Sequence, residues 1–215
     1  MKVTINAAMT LDGKIATAAG DSAISSKDDL KRVHRLRAGS DAVMIGISTV
    51  LADDPLLTAR LVKGKNPARV VVDSRGRIPL DSKLMRTCSD IRTIIAMTSQ
   101  APENTVGQIR RAGAEVIIAG KDTVDLKRLF STLAKMGFRH VLIEGGGELN
   151  WSILRLGLAD DLIVTIAPRI VGGRLAPTLV EGDGFDPVSK GVKLKLQDVK
   201  RKQTGELILR YRPEK

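Results

Sequence analysis

Cysteine is almost missing from this sequence. Cys88 is the only one in 215 residues, which excludes an internal disulfide framework and any zinc site built on several thiolates. His34 and His140 are the only imidazoles, so no structural metal is expected. Aromatic residues are equally scarce: Phe130, Phe138, Phe185, Trp151 and Tyr211 make up 2% of the chain. The core must therefore be aliphatic, and nucleic-acid binding on a platform of stacked bases is nearly excluded. No run of about 18 apolar residues occurs, so no transmembrane helix is expected. Thr4, Asn6, Asp12 and Lys14 interrupt the N-terminal stretch, which does not suit a signal peptide. The expectation is a cytoplasmic protein with no membrane partner.

What the chain does contain is apolar material spread evenly: 43% hydrophobic residues beside 27% charged ones, a folded rather than a disordered composition. The length fits one continuous α/β domain over residues 1–215. Lys and Arg number 35 against 24 Asp and Glu, a formal charge of +11. Such a surplus favours anionic partners, whether nucleic acid, an anionic membrane surface or phosphorylated small molecules.

Short β-branched runs alternate with helical stretches. Strands are expected at residues 3–9, 42–45, 70–72, 93–96, 115–119, 141–143 and 162–167, on their apolar runs. Ser26 is a candidate N-cap for a helix to Ala38, with Asp28 and Asp29 in its first turn favoured by the helix dipole. Further helices are expected over 103–112, 124–136 and from the glycines near 145 to 156. At the end, Val192, Leu194 and Leu196 alternate with Lys193 and Lys195 as in a half-buried strand. Thr204-Gly205 reads as a turn, and residues 207–211 as the returning strand. The expected fold is thus a mostly parallel central sheet with helices on both faces and a C-terminal antiparallel hairpin.

Four places carry candidate chemistry. Gly145-Gly146-Gly147 ends a strand and opens a helix, where backbone N–H groups can meet a phosphate; a tight turn alone also accounts for it. The dinucleotide fingerprint is not met, because position 150 is Asn. Gly46, Ser48 and Thr49 follow another apolar strand and offer a second cradle of the same kind. Ser74, Arg75 and Arg77 follow a third strand and suit a single phosphate such as the 2′-phosphate of NADP, or form a solvated basic turn. Lastly, Asp53-Asp54-Pro55 ends a helix, and Arg60 seven residues past Asp53 can bring a cation to the same pocket. Leu30, Val33 and Arg37 share one face of the helix from Lys27. Leu30 and Val33 mark that face as buried, so Arg37 is expected to point inward and to need an anion, either a carboxylate or a substrate phosphate. His34 beside it reads as packing.

These turns, taken together, resemble the cofactor-contacting turns of the dihydrofolate reductase fold. The chain is more specifically similar to the pyrimidine reductases of riboflavin biosynthesis. The supporting stretches are Ala8-Met9-Thr10-Leu11-Asp12-Gly13-Lys14-Ile15-Ala16, Gly20-Asp21-Ser22, Thr49-Val50-Leu51-Ala52-Asp53-Asp54-Pro55, Val72-Asp73-Ser74, Glu144-Gly145-Gly146-Gly147 and Ala167-Pro168-Arg169-Ile170-Val171-Gly172-Gly173. The resemblance implies an NADPH-dependent reduction of a phosphorylated ribosylamino-pyrimidine to its ribitylamino form, by a homodimer. It implies cofactor contacts at Ala8, Thr49, Asp53, Ser74 and the turn Gly146, Gly147, Glu148 and Leu149. It implies substrate contacts at Ser22, Arg37, Leu57, Arg60 and Glu144, with Asp53 positioning the nicotinamide and sugar.

Bacterial relatives commonly carry a zinc deaminase domain, whose His and Cys ligands this sequence does not supply. The expected substrate is therefore 2,5-diamino-6-ribosylamino-4(3H)-pyrimidinone 5′-phosphate, with 5-amino-6-(5-phosphoribosylamino)uracil as the alternative. Those relatives also tend to carry Lys where this chain has Asn6. Asp29 lies near the acid that dihydrofolate reductases place on their first helix, but a structural role at the helix start suffices for it. A pteridine or folate reductase is the competing reading on the same fold. A basic nucleic-acid-binding module, motivated by Lys190, Lys193, Lys195, Lys200, Arg201 and Lys202, is the reading from another class.

Overall fold

The computed structural model describes residues 1–214, and the chain divides into two compact units. One comprises His34–Leu142 with Met1; the other comprises Lys2–Val33 and the chain from Ile143 onward.

The first unit is built on β2 (Ala42–Gly46), β3 (Ala68–Val72), β4 (Thr93–Met97) and β5 (Glu115–Ile118), in the spatial order β5-β4-β3-β2. Every pairing among them is parallel. Continuous apolar runs such as Thr93-Ile94-Ile95-Ala96-Met97 are buried along their whole length, as strands covered on both faces must be. The crossovers are α2 (Ile47–Asp53), α3 (Lys83–Arg86), α4 (Glu103–Arg111) and α5 (Leu126–Lys135), before β6 (His140–Ile143). Asp125 caps α5 by accepting the Arg128 N–H at 3.0 Å. One core cluster packs Val43, Ile45, Val71, Ile95, Met97, Leu84, Ile109 and Leu142 without an aromatic ring, and Phe130 and Phe138 are buried elsewhere in the unit. Arg69 is the exception on β3: it is fully buried and donates only to neutral groups, the Thr87 and Thr93 hydroxyls and the carbonyls of Leu84, Thr87 and Ile91. Burial lowers its guanidinium from 12.5 to about 10.

In the second unit β1 (Lys2–Thr10) pairs in parallel with β7 (Asp161–Ala167), from Thr4 opposite Asp161 to Thr10 opposite Ala167. The α6 helix (Gly147–Arg155) precedes β7. Antiparallel pairings then join β7 to β9 (Leu207–Pro213) and β9 to β8 (Leu194–Arg201). The mostly parallel sheet and its closing hairpin bear out the sequence reading. So does Ser26, whose hydroxyl accepts the Asp29 N–H at 3.1 Å ahead of α1 (Lys27–Ala38).

Two expectations fail. The alternating segment that reads as half-buried is exposed at every position of β8, because that strand pairs with β9 alone and nothing in the described chain covers either face. On α1, Leu30 is 44% exposed, while Asp29, Val33 and His34 are buried, so the inward face is rotated by about one residue from the one expected.

Candidate active site

In the first unit the strand ends form two turns of interest. After β3 the chain reverses through Asp73, Ser74, Arg75, Gly76 and Arg77. The backbone carbonyl of Ser74 accepts from the Thr98 hydroxyl at 2.7 Å, and its Oγ accepts the Val124 N–H at 3.2 Å. The Ser74 hydroxyl oxygen is thereby fixed while its own hydrogen remains to be donated, a suitable arrangement for an anion. Arg75 is exposed beside it. Asp73 is buried: Oδ2 accepts the Ile78 N–H at 2.8 Å, and Oδ1 has no hydrogen-bond partner, the nearest cation being Arg77 Nε at 3.9 Å. Burial raises its carboxyl above the ordinary value. Gly76 has φ +68°, and a Cβ there would stand 2.5 Å from Met97 Cε and 2.8 Å from Thr105 Cγ2.

After β2, Gly46 leads straight into α2, with Ser48 exposed and Thr49 half-buried on its first turn. The two acids that end α2 have different surroundings. Asp54 adopts φ 40°, its N–H returns to the Val50 carbonyl, and its Oδ1 accepts the Lys83 N–H at 2.7 Å, which ties α2 to α3. Asp53 is exposed. The following segment carries Leu57, buried and with φ 52°, an uncommon conformation for a branched side chain. Beyond it Arg37 and Arg60 meet on one residue: Arg37 Nη1 donates to the Thr58 carbonyl at 3.1 Å, and Arg60 Nη1 to the Thr58 hydroxyl at 3.2 Å. Arg60 is exposed and has no carboxylate partner among the described residues. His34 Nδ1 accepts the Leu61 N–H at 3.3 Å, so it packs this segment as expected.

In the second unit the glycine turn precedes α6. Gly145 has φ +93°, the Gly145–Gly146 peptide is cis, and Gly146 is the helix N-cap. A Cβ on Gly147 would lie 2.7 Å from the Thr178 carbonyl, so packing against the 178–181 loop is enough to require glycine there. Glu148 is exposed, whereas Leu149 is buried and can offer a ligand only its backbone. Asn150 departs from the dinucleotide fingerprint with a structural cause: Nδ2 donates to the Leu179 carbonyl at 2.9 Å. Glu144 and Ala8 are half-buried, and Ser22 is exposed.

Two motifs of this unit explain each other. Asp12 accepts the N–H groups of Val171 and Gly172 at 3.2 and 2.7 Å and the Thr10 hydroxyl at 2.6 Å. Led by the Thr10 hydrogen bond and then that of Gly172, these donors hold the Asp12 carboxyl at about 2. The loop after β1 is thus tied to the loop after β7. Sequence reasoning gave no place to Arg32, which pairs at 2.6 Å with the fully buried carboxylate of Asp29 while its own side chain stays 17% exposed. A basic residue on an amphipathic helix carries no signal of that kind.

A family profile described as the RibD C-terminal domain matches residues 1–209. The chain is 49% identical over 214 residues to the 2,5-diamino-6-ribosylamino-4(3H)-pyrimidinone 5′-phosphate reductase of Methanothermobacter thermautotrophicus, covering 97% of this chain and 96% of that protein. Among solved structures it matches RibD of Acinetobacter baumannii with TM-score 0.82 and 30% identity, over 100% of this chain and 58% of that one. Dihydrofolate reductase of Enterococcus faecalis shares the fold at TM-score 0.55 and 14% identity, over 100% of this chain and 97% of that one.

Proposed function

The chain belongs to the family of RibD C-terminal domains, and from that premise we propose that it is a reductase of riboflavin biosynthesis acting on 2,5-diamino-6-ribosylamino-4(3H)-pyrimidinone 5′-phosphate. The side chain C1′ of that compound goes from the ribosylamino to the ribitylamino state. The reductase class and a nicotinamide cofactor follow from the family and its dihydrofolate-reductase-like fold. NADPH as the particular donor, the residue roles, the single reductase domain and the homodimer are our reading.

The observation that carries the substrate class is the pair Arg37 and Arg60 converging on Thr58, with Arg60 free of any carboxylate among the described residues. Two cations held in fixed relation suit the 5′-phosphate, each charge-assisted contact contributing about 1.5–3 kcal/mol. The positive-φ Leu57 fixes the segment that presents Arg60. The family resemblance assigns polar substrate contacts to Ser22 and Glu144 of the second unit as well.

The fit of NADPH rests on Ser74, whose hydroxyl hydrogen is left to donate by the Val124 N–H on its oxygen. Ser74 and Arg75 hold the 2′-phosphate. In the first unit Gly46, Ser48 and Thr49, and in the second the turn Gly145, Gly146, Gly147 with Glu148 and the backbone of Leu149, are each of the kind that would offer N–H groups to a phosphate. By resemblance to the family, Ala8 and Asp53 are each assigned to the nicotinamide end of the cofactor. When bound, NADPH supplies a hydride to C1′. The chain's own work is to hold that carbon in attack geometry and keep the sugar oriented, a contribution of about 7–11 kcal/mol in well-aligned reactions.

The homodimer reading rests on β8. Among the described residues its outer edge is unpaired, and Leu194, Leu196 and Val199 are 41%, 50% and 50% exposed on it. An exposed apolar edge strand is a template for a second copy. A groove of about 580 Å³ lined by Leu154, Phe185, Val192 and Pro213 adjoins this hairpin, and none of the substrate or cofactor residues lines it. No helix among the described residues is long and apolar enough to cross a membrane, and we place the enzyme in the cytoplasm.

The test follows NADPH consumption with the 2,5-diamino compound and, separately, with the 5-amino uracil compound. Turnover of the first with at least tenfold preference for NADPH over NADH is expected. Faster turnover of the uracil compound reassigns the substrate, and turnover of dihydrofolate alone overturns the reading.

A further inference from the structure

The Asp29–Arg32 pair takes part in none of the contacts assigned above, yet its hydrogen bonds are fully directional. Asp29 is 1% exposed. Its Oδ1 accepts from Arg32 Nε at 2.6 Å and from the Thr165 hydroxyl at 2.9 Å, and its Oδ2 from the Ser25 hydroxyl at 2.9 Å. Arg32 also donates from Nη1 to Asn6 Oδ1 at 2.8 Å and from Nη2 to the Thr165 hydroxyl at 3.0 Å. A carboxylate only accepts and a guanidinium only donates, so each hydrogen in the network has one place. Thr165 must donate to Asp29 and accept from Arg32. Asn6 must turn its oxygen to Arg32, which sends its NH2 group the other way.

Donors are left over. Arg32 spends three N–H bonds on Asp29, Asn6 and Thr165, and a guanidinium has about five. Its remaining N–H bonds, and the Asn6 NH2, meet no acceptor among the described residues. Among the described residues the Asn6 NH2 is not a buried donor sealed away without a partner, and the Arg32 side chain keeps 17% of its surface exposed, so donors remain available on this face.

Their position follows from the sheet. Asn6 and Ala8 are two residues apart on β1 and share a face. Thr165 is the registered neighbour of Ala8 on β7 and lies on that face too. A guanidinium bonded to both Asn6 and Thr165 therefore straddles the strands directly beside Ala8. An ion pair so buried returns little net stability, since a neutral pair of similar shape holds a fold as well.

We infer that Arg32, oriented by Asp29, and Asn6 form a donor set that binds an oxygen acceptor of the pyrimidine phosphate beside Ala8. This rests on the reductase reading, in which Ala8 borders the nicotinamide. Two oxygens have the required chemistry. One is a pyrimidine carbonyl, unchanged by the reaction. The other is the sugar ring oxygen. As the ring opens, the C1′–O4′ electron pair goes to O4′, the exocyclic nitrogen forms the double bond to C1′, and the proton that nitrogen loses ends on O4′. A cationic edge stabilises the charge that gathers on O4′ meanwhile.

The test uses the full chain with Asp29→Asn/Arg32→Met, which removes both charges and leaves no buried ion unpaired. Thermal unfolding, NADPH affinity by fluorescence and calorimetric titration of the pyrimidine phosphate without NADPH accompany steady-state kinetics. The double variant is expected to melt near the wild type and bind NADPH normally, while kcat/KM for the pyrimidine phosphate falls about 30-fold or more. A loss carried by KM and by the calorimetric affinity identifies the carbonyl; a loss carried by kcat identifies O4′. Arg32→Lys should recover only part of it, because an ammonium cannot make the three-way contact. Asn6→Asp, which keeps the shape and gains a partner in Arg32, should lose at least about tenfold by turning a donor into an acceptor. Wild-type kcat/KM in both the double variant and Asn6→Asp overturns the inference. An unmutated protein that binds NADPH but does not turn over the pyrimidine phosphate overturns the reductase reading itself.

Discussion

Arg60 is the residue on which the substrate assignment turns most simply. Its guanidinium rests on the Thr58 hydroxyl, is exposed, and has no carboxylate among the described residues to neutralise it. Removing a desolvated charge partner costs about 2–5 kcal/mol, so Arg60→Ala should weaken the pyrimidine phosphate about 30-fold or more. NADPH affinity by fluorescence should stay near wild type, and the dephosphorylated pyrimidine should be penalised little. Weakened NADPH with an unaffected pyrimidine would move Arg60 to the cofactor. Asp73 offers a pH signature at the same scale. Burial raises its carboxyl from 3.8, so the folded state holds that proton more tightly than the unfolded chain does. The sign follows: the contribution is favourable at low pH and is lost as pH rises through the raised value. Asp73→Asn keeps the acceptor for the Ile78 N–H and cannot ionise. Urea unfolding from pH 4 to 8 should show the variant gaining on the wild type as pH rises. A difference that stays constant over that range would mean that burial does not penalise this carboxylate.

Elements show why some of this was legible in the sequence and some was not. The buried strands β2, β3 and β4 are apolar runs between polar turns, and a run buried on both faces has no other reading once helices flank it. Helix α1 announced its start through Ser26 but not its face. The face is set by Asp29 and Arg32 turning inward to Asn6 and Thr165, which a hydrophobicity pattern assigns to solvent. The Arg69 cluster was invisible for the same reason: polar residues from β3, α3 and the start of β4 satisfy one another only after the chain has folded. Strand β8 alternates as a half-buried strand does, yet it is exposed on both faces. The alternation is explained if a second copy covers Leu194 and Leu196. Leu196→Lys should then shift sedimentation toward the monomer, raising the dimer dissociation constant at least about tenfold for a hot-spot position. A wild type that sediments as a monomer at all concentrations would contradict the dimer.

Across the whole molecule, motifs far apart in sequence have a common physical cause. The Asp12-Gly13 and Val171-Gly172 stretches belong together because the Asp12 carboxylate accepts the Val171 and Gly172 N–H groups. Residues 145–150 and 178–181 belong together because Gly147 leaves no room for a Cβ beneath Thr178 and Asn150 holds the Leu179 carbonyl. The surplus of 35 basic over 24 acidic residues fits a phosphorylated substrate and cofactor. Its chemistry has one central claim, that the carbon reduced is C1′ of the sugar and no atom of the pyrimidine ring. The most direct measurement incubates the enzyme and the pyrimidine phosphate with NADPH deuterated at nicotinamide C4, each of the two stereoisomers in turn, and locates the label by NMR and mass spectrometry. One stereoisomer should deliver a single deuterium to C1′ of the ribityl chain. Deuterium on the pyrimidine ring, or a reduced product without label from either stereoisomer, would contradict the account.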